Sequence, residues 1–212
     1  MTASLSHAAL SAGKIGPNSV TRVAEALRAV EGDNTAHRLF HGAGLGAHLD
    51  SPPEDMVDER DAEALHAALR TTLGTRRART IGWIAGQRTA DYLIRARIPR
   101  PIQRVLKLAP AGLASRLLTA TMAANAWTFA GSGQFRVRHG RTTVLSITDC
   151  PMCRGQRAAE PLCDFYAGAF ERLFAKLVHP ASRVVETHCQ ALGDPACRFT
   201  VDWRRGAARA RR

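Results

Sequence analysis

With 212 residues, 45% of them hydrophobic, the chain can bury a sizeable core without staples, which excludes a disordered or fibrous protein. Its formal net charge of +12 comes almost wholly from arginine, Lys14, Lys107 and Lys176 being the only lysines. That balance suits anionic partners: nucleic acid, an acidic membrane surface or carboxylate ligands.

The opening "MTASLSHAALSAGK" has no basic n-region, and residues 1–13 are expected to be flexible. "IGPNSVTRVAEALRAVEG" predicts a helix: Pro17 lies near its start, Asn18 or Ser19 caps it, and Val20, Val23, Ala24 and Leu27 recur at helical spacing up to Gly32. "HGAGLGAHLDSPPED" reads as a loop. Its "GAGLGA", residues 42–47, fits a dinucleotide fingerprint with Asp61 downstream. But "NTAHRLF" before it is no buried strand and "HLDSPPED" after it cannot start a helix, so it reads as a glycine-rich turn. No nicotinamide or flavin site is recognised.

"DAEALHAALRTTLG" is a second helix and "TIGWIAGQRTADYLIRARIP" a third, with Trp83, Ala90, Leu93 and Ile94 on its apolar side and Pro99 and Pro101 ending it. "PAGLASRLLTATMAANAW" is a fourth. Residues 117–130 are the most apolar stretch, too short to span a bilayer, so the expected compartment is the cytosol. The pattern then changes. Phe135 and Val137 alternate with Arg136 and Arg138, His139-Gly140 turns, and Thr143, Val144, Leu145 and Ile147 return as a hairpin. "PLCDFYAGAFERLFAKLVHP" is the clearest helix, and Phe199, Val201 and Trp203 belong to a second hairpin turning at Gly193-Asp194-Pro195. The order predicts an α+β fold, an antiparallel sheet packed by helices, as a single domain over residues 14–203. Residues 204–212, with five arginines and no acid, read as a basic disordered tail.

The cysteines carry the chemistry. Five is an odd number, and disulfides are rare in a reducing compartment. Cys189 and Cys197 sit at the neck of the last hairpin, where cross-strand Cβ atoms about 4.5–5.5 Å apart suit a disulfide or two ligands of one metal. Zinc needs about four ligands. Cys163, in the first turn of the best helix, is one candidate, since the helix dipole favours its thiolate. Glu186 is another, but a regular strand would point it away from Cys189, so a bulge near Thr187-His188 is required. A rival set is Cys150, Cys153, Cys189 and Cys197. The "CPMC" pair has no haem-attachment histidine and no thioredoxin-like surroundings, and reads as ordinary free thiols.

The spacing Cys163-x22-Glu186-x2-Cys189-x7-Cys197 resembles the zinc site of the 4-vinyl reductase domain. The segments "KIGPNSVTR", "AGQRTADYLIRARIP", "AWTFAGSGQF", "EPLCDFYAGAFERLF" and "RVVETHCQALGDPACRFTV" resemble, more widely, the bacteriochlorophyll 4-vinyl reductase family. That resemblance implies a Bet3-like fold, a zinc site at Cys163, Glu186, Cys189 and Cys197, a buried ligand pocket, and a step at the divinyl protochlorophyllide stage of bacteriochlorophyll synthesis. Three thiolates and a carboxylate around Zn²⁺ carry −2, with Arg183 and Arg198 the nearest candidates to offset it. Four protein ligands make the site structural.

Reducing a vinyl group takes two electrons and a proton from a nicotinamide, flavin or cluster, for which the sequence offers no site. The reading favoured is therefore a carrier that binds a protochlorophyllide-type tetrapyrrole for the vinyl reduction step. The alternatives are the vinyl reductase itself and, second, a stand-alone small-molecule sensor, although no helix-turn-helix accompanies the domain. Trp83, Tyr92, Trp127 and Phe129 are candidate walls for the macrocycle, and Arg95 and Arg97 candidate cations for its carboxylate. Other pigment-synthesis enzymes and a homodimer are candidate partners. The basic tail offers a peripheral membrane contact, and nucleic acid is not expected.

Overall fold

A computed structural model describes residues 13–203. The expectations for residues 1–12 and 204–212 lie outside the described residues. Gly13 is held, its carbonyl accepting from the Glu59 N–H at 2.9 Å.

The chain runs β1 (Lys14–Ile15), α1 (Asn18–Glu31), α2 (Asp33–Gly42), α3 (Gly46–Asp50), β2 (Val57–Asp58), α4 (Glu59–Leu73) and α5 (Thr75–Ala96). It continues through α6 (Arg100–Leu108), α7 (Ala111–Ala124), α8 (Trp127–Ala130), β3 (Gln134–His139), β4 (Thr143–Thr148), α9 (Asp164–Leu177), β5 (Arg183–His188) and β6 (Cys197–Asp202). The α+β expectation holds. α1 buries the predicted Val20, Val23, Ala24 and Leu27. Single glycines divide what would be longer helices: Gly32 (φ 83) between α1 and α2, and Gly74 (φ 77) between α4 and α5.

The residues around "GAGLGA" differ from the expected loop. "NTAHRLF" lies in α2, which buries Ala36, Leu39 and Phe40, and one helical turn, α3, follows. The glycines thus join two helices, not a strand to a helix. α6 also exceeds expectation, starting directly after Pro99 with Pro101 in its first turn, where a missing N–H costs nothing.

Antiparallel pairing gives a sheet in the order β3-β4-β6-β5. One face is dry: Thr143, Leu145 and Ile147 of β4 and Cys197, Phe199 and Val201 of β6 are buried in strict alternation. α9 covers that face with Phe170 edge-on to Phe199, ring centroids 5.3 Å apart. α5 packs over α9, with α1 and α4 against α5. The two central helices approach through glycine. A Cβ on Gly86 would overlap the Phe165 carbonyl, and one on Gly168 the Trp83 carbonyl. The predicted second hairpin forms, but its connection is longer than a tight turn: a 3-10 turn, Gln190–Leu192, precedes Gly193 (φ 95).

An ion-pair knot ties the segment after β4 to α4. The Arg154 guanidinium donates to Glu59 (2.8 Å), Glu63 (2.6 Å) and the Asp149 carboxylate (2.8 Å). Glu59 is buried and also accepts from the Ser132 N–H at 2.8 Å and its hydroxyl at 2.6 Å. Burial alone would raise the Glu59 carboxyl, but the Ser132 hydrogen bonds and Arg154 outweigh it and hold it below its ordinary value.

Two outcomes follow for stability. Gly86→Ala should lower it by about 1–3 kcal/mol, the usual cost of overpacking, read as a lower urea midpoint at unchanged slope. Arg154→Ala should cost about 3 kcal/mol at pH 7 by stranding buried Glu59. Because the folded carboxyl lies below its unfolded value, its contribution is present above the ordinary glutamate range and is lost as pH falls through the folded value. The gap between wild type and variant should therefore close on acidification; a gap constant from pH 7 to 3 would discard the Glu59 account.

Candidate functional site

Four segments deliver all five cysteines to one spot. Asp149, at φ 53, swings the chain off β4 so that Cys150 and Cys153 turn back under the sheet. Cys163 is the N-cap of α9, Cys189 follows β5, and Cys197 opens β6. Each is at most 1% exposed. Backbone and amide groups fix the loops: the Gln190 side-chain oxygen accepts from the Cys150 N–H at 2.7 Å, Asp194 accepts from the Cys189 N–H at 2.9 Å, and the Gln190 N–H points at the Cys197 sulfur at 3.4 Å.

The sulfurs are not bonded to one another. Sγ–Sγ separations are 3.6 Å for Cys150–Cys163, 3.6 Å for Cys163–Cys197, 3.4 Å for Cys153–Cys197 and 3.9 Å for Cys189–Cys197. A disulfide needs about 2.05 Å. Tetrahedral ligands with metal–sulfur bonds of about 2.3 Å stand about 3.8 Å apart, which is what these sulfurs do. The disulfide alternative for Cys189 and Cys197 is therefore absent, and the cluster can hold a metal ion.

Glu186 completes the arrangement. The register of β5 against β6 slips between Glu186 and His188, the bulge that its participation requires. One carboxylate oxygen accepts from the Cys163 N–H at 2.8 Å, while the other is buried with no partner. Burial, and then Cys189, push the Glu186 carboxyl up to about 9. Burial likewise raises Cys150 and Cys163. Without a cation these acids stay protonated; a cation at their centre reverses the balance. The donor set thus fits a thiophilic divalent metal.

Two groups of four donor atoms meet the spacing: Cys163, Glu186, Cys189 and Cys197, as expected, and Cys150, Cys153, Cys163 and Cys197. The "CPMC" pair therefore does not stand apart as expected but touches the shared thiols. The offsetting cation also differs from expectation. Arg183 is largely exposed and reaches toward Glu171, and Arg198 lies on the sheet face away from Cys197. Arg70 of α4 is the cation that feels the Cys163, Cys153 and Cys189 sulfurs; burial lowers its pKa and they oppose that shift. Its guanidinium has one buried nitrogen without a partner, as does His66 one turn earlier, and both border a small cavity with Arg79 and Leu162.

The six expected pigment contacts are scattered. Trp83 lines an open groove of about 660 Å³ between α5 and the approach to α9, with Arg76, Arg79, Ile84, Glu160 and Asp164. The other five do not line it. Phe129 packs edge-on to Phe135 at 5.1 Å, Arg22 sits over the Tyr92 ring at 4.8 Å, Trp127 is 61% exposed, and Arg95 and Arg97 are exposed on the last turn and C-cap of α5. Among the described residues no helix is long and apolar enough to cross a membrane.

The family model of the 4-vinyl reductase domain matches residues 143–202, which span β4 to β6 and include all five cysteines and Glu186. Among solved structures, an H-NOX protein studied for heme distortion has a TM-score of 0.58 at 12% identity, covering 89% of this chain and 95% of that one. An unliganded Fe(II) H-NOX protein from K. algicida gives 0.57 at 8% identity, over 89% and 96%. At those identities the likeness is one of fold. The bacteriochlorophyll synthase 23 kDa chain of Rhodobacter capsulatus is 35% identical over 190 residues, 89% of this chain and 86% of the relative. That of Cereibacter sphaeroides is 40% identical over 190 residues, 90% of this chain and 91% of the relative. With identity of that order along nearly its whole length, the chain belongs to the bacteriochlorophyll synthase 23 kDa chain family, and the resemblance drawn from its motifs is borne out.

Proposed function

We propose that the protein works in bacteriochlorophyll synthesis as a binding or carrier protein for a tetrapyrrole intermediate of the divinyl protochlorophyllide type, at the vinyl reduction step. The observation that carries this is the 40% identity to a named bacteriochlorophyll synthase chain over nine-tenths of both proteins. The groove of about 660 Å³ falls in the size range of small-molecule sites. Trp83 and Ile84 supply its apolar wall, and Arg76 its cation free of the Arg79–Glu160 and Arg79–Asp164 ion pairs, suited to a ring carboxylate. A related fold in an H-NOX protein is described with a heme, so the architecture accommodates a macrocycle.

The same reading assigns zinc to Cys163, Glu186, Cys189 and Cys197. When bound, it supplies charge compensation and a clamp, since four protein ligands leave no position for substrate. Cys163 contributes from the N-cap of α9, Glu186 from the bulge of β5, and the remaining two thiols from the ends of the β5–β6 connection. The clamp therefore fastens the last β-ribbon to the central helix.

Adding divinyl protochlorophyllide to the purified full chain should shift the pigment's Soret band to saturation at about one equivalent. NADPH should leave the vinyl group intact. Trp83→Ala should weaken binding about ten-fold, and Trp127→Ala should leave it unchanged. Absence of any spectral change would overturn the binding role, and loss of the vinyl band would make the protein the reductase. Zinc should be present as isolated and should leave as pH falls, because thiolates and Glu186 compete with protons for it. Stability conferred by the metal is thus present at neutral pH and lost on acidification. A melting temperature indifferent to chelator would remove the clamp.

A further inference from the structure

We propose that the cysteine cluster holds two metal ions bridged by the sulfurs of Cys163 and Cys197. One ion takes Glu186 and Cys189 as its remaining ligands, and the other takes Cys150 and Cys153. The inference rests on the zinc reading above and extends it to a pair of cysteines that reading leaves idle.

The geometry carries it. Each group of four offers donor atoms lying within 4.8 Å of one another, and the two groups share those two thiols. The contacts that Cys150 and Cys153 make to the shared sulfurs, 3.6 and 3.4 Å, are as close as the 3.9 Å between Cys189 and Cys197. All match the edge of a tetrahedron around one ion, about 3.8 Å. Thiolates that each bound a separate iron of a cluster would stand further apart. Cys-x2-Cys is itself a zinc-ligand spacing. The pair is also held for the purpose, its loop fixed by Arg154 on one side and Gln190 on the other.

Charge balance removes the obvious objection. One divalent ion with three thiolates and a carboxylate leaves −2, with Cys150 and Cys153 protonated beside it. A second divalent ion displaces those two protons and forms two new terminal metal–sulfur bonds, while each bridging sulfur donates a second lone pair. Five thiolates and a carboxylate against two ions again leave −2. The second ion adds no net charge to the buried site, and Arg70 faces the same residual charge in either case.

The test is metal content of the full chain by mass spectrometry against amino-acid analysis. The expected result is about two zinc ions per chain, falling to about one in Cys150→Ser/Cys153→Ser. About one ion in the wild type, unchanged in that variant, overturns the inference and leaves the single-zinc reading standing; no bound metal overturns both. Should the double variant not fold, cobalt substitution of the wild type decides. Thiolate-to-cobalt absorption should rise to a break at about two equivalents, and the magnetic moment per cobalt should drop on the second addition as bridged ions couple. A break at one equivalent, or two cobalt ions with undiminished moments, overturns the shared-sulfur arrangement.

Discussion

Concentrating acidic groups in a dry place is expensive unless something positive sits among them. Five buried thiols and the Glu186 carboxyl meet here at sulfur separations of 3.4–3.9 Å. Left to themselves they retain their protons, at the cost of a buried carboxyl oxygen with no hydrogen bond. The cluster draws together the exit of β4, the start of α9, the end of β5 and the start of β6, so the whole C-terminal half depends on how that cost is met. A cation meets it at a stroke. The neighbouring Arg70 alone does not, since it is one charge at the edge, partly desolvated itself.

The second constraint is purely steric. α5 and α9 cross with Gly86 against the Phe165 backbone and Gly168 against that of Trp83. Close crossing places Trp83 and Arg79 on the side of α5 that faces the approach to α9, and Arg79 pairs with Glu160 at 2.7 Å and Asp164 at 3.1 Å. The groove is therefore a by-product of glycine packing: a wider interhelical spacing would separate its walls. These pairs are partly exposed and add little stability individually, so their role is to set direction, not to hold the helices together.

Much of this was legible in the residues. The 3.6-residue stripe of α9, the alternation in β3, β4 and β6, and the need for a bulge between Glu186 and Cys189 all come from spacing alone, and all are present. What escaped did so for physical reasons. Gly32 breaks a helix for one residue only, so α2 looked like the beginning of a loop. Pro101 suggested an ending, yet it occupies the first turn of α6, where proline is harmless. Cys150 and Cys153 join the cluster because Asp149 takes a left-handed conformation, a backbone choice that composition does not announce. The hint available was Arg154, a cation directly after a cysteine pair and far in sequence from Glu59, its buried partner. Arg70 was hidden for the same reason: its neighbours in space come from the other end of the chain.

Cluster and groove are not independent, because they share a residue boundary. Cys163 caps α9, and the next residue, Asp164, lines the groove and accepts from Arg79. Burial raises the Asp164 carboxyl, while Arg79 opposes that shift, so its charge depends on staying within reach of the guanidinium. Fixing the Cys163 sulfur fixes the first turn of the helix and with it the position of Asp164. Releasing that sulfur frees the turn, loosens the Asp164–Arg79 pair and lets Arg79 move relative to Trp83, one turn along α5. The small cavity behind Arg79, bordered by the unpartnered His66 and Arg70 nitrogens, lies on the same line between cluster and groove. A centre with no open coordination position can thus govern ligand binding without touching the ligand, through the one helical turn that both of them use.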